Sequence, residues 1–292
     1  MTHDINGIHH CGILTRDLDS LERRFASLGF TLSPRSRHLL SEGPGTEPIP
    51  GCTANRCALF GNSYIELLGI VDEDAPDPWH TRTMPDGFRI LNFDTGDAEV
   101  TQQRITALGL HTSGVLDLER EVDTENGPRM IRARAVHVDP RTTSEGYVGI
   151  AQHLTRKYVH QSRYLNHLNG ARGLSAVLIV ADDDIFDGLV GRYAGLLGAP
   201  PRSDGTLTVV EMAAGRVELV RSSMAEVLLP GEPVPAPSYL AAMTIAVEDV
   251  AAARAIVGRA GTPTRPTDNG GFFVSARDAF GAGLFFTAAT DR

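Results

Sequence analysis

The stretch GIHHCGILTRDLDSLERRFASLGF, Gly7 to Phe30, decides the fold. Its opening apolar run holds two adjacent histidines, His9 and His10, and reads as a strand. The remainder places Leu18, Leu21, Phe25 and Leu28 on one face of a helix. Asp17 is suited to cap that helix, because its carboxylate can accept the unpaired N–H groups of the first turn. Gly29, twelve positions on, is suited to the left-handed residue that ends it.

The same punctuation returns along the chain. Asp97 and Gly109 enclose Val100, Ile105 and Leu108 at the same spacing, and Asp249 and Gly261 repeat it. A looser copy runs from Asp184 to Gly198. Each helix follows an apolar run (IHHCGIL, FRILNF, SAVLIV, LAAMTIAV) and precedes strand-like segments such as NSYIELLGIV, YVGIAQHL, GRVELVRS and GAGLFFTAA. The repeated unit is therefore βα followed by further strands, an α+β chain of four βαβββ modules. Modules one and two fill residues 1–158, residues 159–172 connect, and modules three and four fill 173–292, joined by the proline-rich LPGEPVPAPS. A long link, DEDAPDPWHTRTMPDG, separates modules one and two and carries the only Trp, Trp79.

Composition narrows the function. With 292 residues, 42% hydrophobic and 22% charged, the chain has ample length for buried cores. A formal charge of −9 argues against nucleic-acid or anionic-membrane partners, which need basic surfaces. No apolar run approaches a membrane span, and MTHDING has no leader character. Cys11, Cys52 and Cys57 form no disulfide framework and suit a reducing cytosol, so a cytoplasmic location is expected. Phosphate loops, nucleophile elbows and HExxH helices are absent from the sequence.

Four such modules in one chain resemble the vicinal oxygen chelate superfamily. The first module, with Gly51-Cys52-Thr53-Ala54-Asn55-Arg56 ahead of a strand carrying Glu66, resembles its glyoxalase-like subgroup. The resemblance implies that paired modules curl into half-open barrels, and that the N-terminal cup holds one divalent metal ion (iron, zinc, manganese or nickel). It implies His10, seven residues before the helix cap, as the first-strand ligand, and Glu66 as the last-strand ligand and catalytic carboxylate. Adjacent strand residues face opposite ways, which leaves His9 on the far face. In module two, Ile90 stands where a second histidine would be. The third ligand then falls to Gln152 or His153, and imidazole chemistry favours His153.

His38, Asn55, Arg56 and Tyr64 are the expected substrate-binding residues, with His38 placed in a loop. His167 and Asn169 either close over the cup or form a turn. Modules three and four show no ligand set, since Glu218 imitates Glu66 without histidine partners. A structural or dimerising role is expected for that half, with a homodimer as the possible assembly. The resemblance implies a metal-dependent lyase or isomerase acting on a small oxygen-rich substrate through an enolate. An Fe(II) dioxygenase of the same fold and a non-catalytic small-molecule binder are the alternatives.

Overall fold

The computed structural model describes residues 4–289. Module one runs β1 (Ile5–Thr15), α1 (Leu18–Ser27), β2 (Ser36–Leu40), β3 (Ile49–Leu59) and β4 (Tyr64–Ile70). Module two runs β5 (Gly87–Thr95), α2 (Ala98–Ala107), β6 (Thr112–Thr124), β7 (Gly127–Val138) and β8 (Tyr147–His153). Their strands close into one barrel in the order β1-β4-β3-β2-β6-β7-β8-β5. The modules meet where β1 pairs with β5, and again where Leu39 and Leu40 of β2 pair with Glu119 and Leu118 of β6.

A short helix, α3 (Arg156–Val159), leads to the second half. There β9 (Ala171–Ala181), α4 (Phe186–Leu197), β10 (Pro201–Asp204), β11 (Leu207–Glu211) and β12 (Arg216–Arg221) form module three. After α5 (Ala225–Leu228), module four follows as β13 (Tyr239–Val247), α6 (Val250–Arg259), β14 (Arg265–Pro266), β15 (Phe272–Val274) and β16 (Gly283–Ala288). These eight strands make an open sheet, β10-β11-β12-β9-β13-β16-β15-β14, so the chain is α+β with paired modules in each half.

The helix punctuation is visible atom by atom. Asp17, Asp97 and Asp249 accept backbone N–H groups of the first turns of α1, α2 and α6. Gly29, Gly109, Gly198 and Gly261 all take positive φ, as a left-handed stop requires. Asp184 departs from the expectation: α4 starts one residue later, with Ile185 at its N-cap and no side-chain cap. The looser spacing of that copy is the sequence trace of this difference.

The halves differ in what fills them. On the open sheet, Leu178, Val180, Val220, Tyr239 and Phe273 pack against Ala225, Leu228, Leu229 and Ala236 of α5 and the proline-rich link. The link thus supplies core as well as connection. Glu218 lies beside Arg216, 2.7 Å away. One large apolar core, including Phe25, Phe93, Tyr193 and Phe286, joins the two halves. Buried Glu145, between β7 and β8, bonds Tyr193 at 2.8 Å and Arg192 of α4. Among the described residues no helix is long and apolar enough to cross a membrane.

Candidate functional site in the N-terminal barrel

Strand alternation decides which side chains enter the barrel. Tyr64, Glu66 and Leu68 of β4 point inward, as do Thr53 and Asn55 of β3, Ile90 and Asn92 of β5, and Tyr147, Ala151 and His153 of β8. They line a cavity with about 80 Å³ of room for the centres of water-sized atoms. A single buried water needs ~10–15 Å³, so the space takes a small organic molecule. Leu68, Met84, Ile90, Leu118 and Ile131 give it apolar walls. The link between modules lies over it: Trp79 and Thr81 line the cavity, and Trp79 donates its indole N–H to the Ser41 carbonyl.

Glu66 is the buried carboxylate of this cavity. Asn55 Nδ2 donates to its Oε1 at 2.6 Å, and Arg120 Nη1 donates to Asn55 Oδ1 at 2.7 Å. The two neighbours fix the amide's orientation, since its oxygen must face the guanidinium and its nitrogen the carboxylate. Glu66 Oε2 lies 3.7 Å from His10 Nε2, and Oε1 lies 3.7 Å from His38 Nε2. Burial raises the Glu66 pKa above the usual glutamate value, and the Asn55 bond and Arg120 charge only partly oppose it. Burial also brings His10, His38 and His137 down to about 3, so these imidazoles are neutral at physiological pH.

The expected residues distribute unevenly. His10, His38, Asn55, Tyr64 and Glu66 all face the cavity, and Tyr64 stacks on His10. His38 belongs to strand β2 rather than a loop, and its Nδ1 pairs with Thr53 Oγ1 at 3.0 Å. Arg56, next to inward Asn55, turns the other way: its guanidinium holds the Ser33 carbonyl at 2.6 Å and Glu22 at 3.2 Å. The buried cation at the site is Arg120 of β6, a residue with no local motif to mark it; the less buried Arg134 of β7 also reaches the lining. His167 and Asn169 serve as turn and packing groups, bonded to Leu59 and Leu28 carbonyls.

His9 overturns the alternation argument. Against β5, Ile8 pairs with Phe93 and His10 with Asn92, so β1 carries one extra residue there, a β-bulge at His9. Both histidines therefore line the cavity, with their Nδ1 atoms 2.7 Å apart. Of the two β8 candidates, His153 faces the cavity while Gln152 bonds Ala98 and Gly96 at the start of α2.

The metal implied by the resemblance can be tested against this donor set. His153 sits against His9, with ring centroids 4.3 Å apart, rather than on Glu66. By strand pairing, β1–β4 matches His10 with Tyr64 and Gly12 with Glu66, while β5–β8 matches Ile90 with Tyr147 and Asn92 with Gly149. Ile90 and Gly149 thus occupy the module-two counterparts of His10 and Glu66, and neither can bind a metal. A side chain at Gly149 would lie 2.5 Å from Asn92 Oδ1. Asn92 fills that space and puts its Nδ2 3.1 Å from His10 Nε2. Among the described residues no three His, Cys, Asp or Glu side chains group as a metal ion requires. The set His10, Glu66 and His153 does not fit the ion.

Comparison with known proteins agrees with this architecture. A search of curated protein sequences finds no match. Solved structures share the fold over nearly the whole chain. One is a hypothetical protein from Staphylococcus aureus (TM-score 0.66, 11% identity, 97% of this chain and 99% of that one). Another is a xylose isomerase-like TIM barrel/4-hydroxyphenylpyruvate dioxygenase fusion protein (TM-score 0.60, 12% identity, 99% and 50%). A third is a mutant of 4-hydroxymandelate synthase from Streptomyces coelicolor (TM-score 0.60, 12% identity, 99% and 95%). At such identities the likeness concerns the fold alone. The model of the glyoxalase-like domain matches residues 8–197, which takes in the whole cavity and runs on to the end of α4. The chain belongs to the glyoxalase-like domain family.

Proposed function

We propose that this chain is an enzyme that takes a small, largely apolar substrate with neighbouring oxygen atoms into the N-terminal barrel. There Glu66 moves a proton on it, giving isomerase or lyase chemistry. The observation that carries this reading is the Glu66 carboxylate, buried against apolar walls with a raised pKa and facing the cavity. A carboxylate so placed is a stronger base than one in water, because burial disfavours its charge. Asn55 holds one of its oxygens, which leaves the other free to approach a substrate C–H or O–H. Neutral His38 and the Asn92 amide can donate hydrogen bonds to an oxygen on which negative charge develops.

The test uses 2-hydroxyacetophenone, a neutral ketone with an adjacent hydroxyl, as a probe. Exchange of its methylene protons in D₂O is followed by NMR. Wild type is expected to accelerate exchange, and Glu66→Gln to lose ~10²–10⁴-fold of the acceleration, the usual worth of a general base. Equal acceleration by both proteins would remove Glu66 from the role. Trp79 fluorescence reports cavity occupancy independently, since it is the only Trp. Binding without exchange would favour the non-catalytic reading of the same cavity.

A further inference from the structure

Among the described residues Arg120 is the one buried arginine, and none of their carboxylates forms an ion pair with it. Strand alternation sets it on the inward face of β6 with Leu118, and β7 brings Ile131 opposite. Its hydrogen bond goes to the neutral Asn55 amide at 2.7 Å. The other arginine at the lining, Arg134, is already matched by Glu99 at 3.2 Å and Asp117 at 3.7 Å. Burial pushes the Cys57 thiol beside Arg120 up to about 12, so that group adds no negative charge. A guanidinium keeps its proton wherever it sits, and a buried charge with no counter-charge in contact is expensive.

Glu66 does not meet this need by contact. Asn55 stands between the two, donating to Glu66 Oε1 at 2.6 Å and accepting from Arg120, so base and cation are held one amide apart. Asn55 engages one of the five N–H groups that a guanidinium offers in a planar fork. That fork matches a carboxylate, two oxygens against two N–H groups, better than it matches a neutral group. A dianion such as a phosphate ester would instead bring two negative charges beside Glu66.

We propose that Arg120 anchors a carboxylate of the substrate, which makes the substrate a small monocarboxylic acid with a second oxygen on the neighbouring carbon and an apolar body. The inference rests on the reading of the barrel cavity as the substrate site and Glu66 as its base, and it names the substrate class. One negative charge answers one buried cation. The apolar body lies against Leu68, Ile90, Leu118 and Ile131, and the second oxygen meets the donors of His38 or Asn92. The Asn55 spacing suits an acid whose reacting carbon is close to its carboxylate. Arg120 and Ile131 also line a second hollow with Val122, Tyr158 and Tyr164, so the place of binding is read together with its strength.

The experiment compares two molecules of nearly one shape on the full chain. Phenylglyoxylate carries a carboxylate beside a ketone, and 2-hydroxyacetophenone carries CH₂OH in place of the carboxylate. Phenylglyoxylate has no hydrogen on the carbons beside its ketone, so its binding is read apart from catalysis. In calorimetric titration wild type is expected to bind the acid about tenfold or more tighter than the ketone. The preference is expected to vanish in Arg120→Gln and to survive in part in the milder Arg120→Lys, with circular dichroism as the check of fold. The indole NMR signal of Trp79, the only Trp, is expected to shift with both molecules. No preference in wild type, or a preference unchanged in both variants, would overturn the anchor. So would an acid that binds without moving the Trp79 signal, which would place it in the second hollow. Displacement of the acid by equimolar inorganic phosphate would also overturn it, as the mark of a site for any anion. Glu66→Gln is expected to keep the preference, so a failure of Glu66 as base and a failure of Arg120 as anchor are told apart.

Discussion

Replacing Asn55 by Ala removes the amide that joins the two buried charges of the barrel. Asn55, Glu66 and Arg120 are 1%, 7% and 6% exposed, and the amide bonds one at 2.6 Å and the other at 2.7 Å. Hydrogen bonds to charged groups contribute ~1.5–3 kcal/mol each, so losing both costs ~3–6 kcal/mol. Water entering from the cavity recovers part of this, leaving about 3 kcal/mol at neutral pH. The pH dependence has a defined sign. The folded-state pKa of Glu66 lies above its unfolded value, so stability falls as pH rises through the folded pKa. The Asn55 bond opposes that rise, and deleting it pushes the pKa higher still. The penalty is therefore largest when Glu66 is ionised and shrinks to roughly half, the Arg120 share, once it is protonated. Urea unfolding followed by circular dichroism, at one pH well above and one well below the measured Glu66 midpoint, gives both values. A loss below about 1 kcal/mol at the higher pH, or an equal loss at both, would refute the reasoning.

Glu66→Gln keeps the Asn55 bond and removes a buried charge, so its melting temperature is expected to match or exceed wild type in a thermal scan even as catalysis is lost. Gly149→Ala places a Cβ 2.5 Å from Asn92 Oδ1 and 2.9 Å from the Val136 carbonyl. It should cost ~1–3 kcal/mol in chemical unfolding and shift the His10 ring signals as Asn92 is displaced. Glu145→Ala strands Arg192 and Tyr193 across the joint between the halves. A loss of ~3–5 kcal/mol is expected, with calorimetry showing two transitions where wild type shows one.

What the sequence disclosed and what it hid follow from the range of the interactions. Cap and stop residues act within one turn, so Asp17–Gly29 and its copies marked the modules directly. His10, Asn55 and Glu66 sit in the short segments that carry the family resemblance, and all three side chains line the barrel cavity. His9 escaped because a bulge is a mismatch between two strands, and β5 lies some eighty residues away in sequence. Arg120 and Asn92 gain their roles only from neighbours in the other module. Gly149 shows as a counterpart of Glu66 only once β5 and β8 are paired.

The most direct test of the account is the pKa of Glu66 itself, read from the side-chain ¹³C carboxyl shift in ligand-free protein, with Glu66→Gln used to assign the signal. The Glu66 midpoint is expected clearly above that of an ordinary glutamate, because burial outweighs the Asn55 bond and the Arg120 charge. A midpoint at or below the ordinary value would mean a well-solvated or fully paired carboxylate, and would contradict the proposal that Glu66 takes a proton from the substrate.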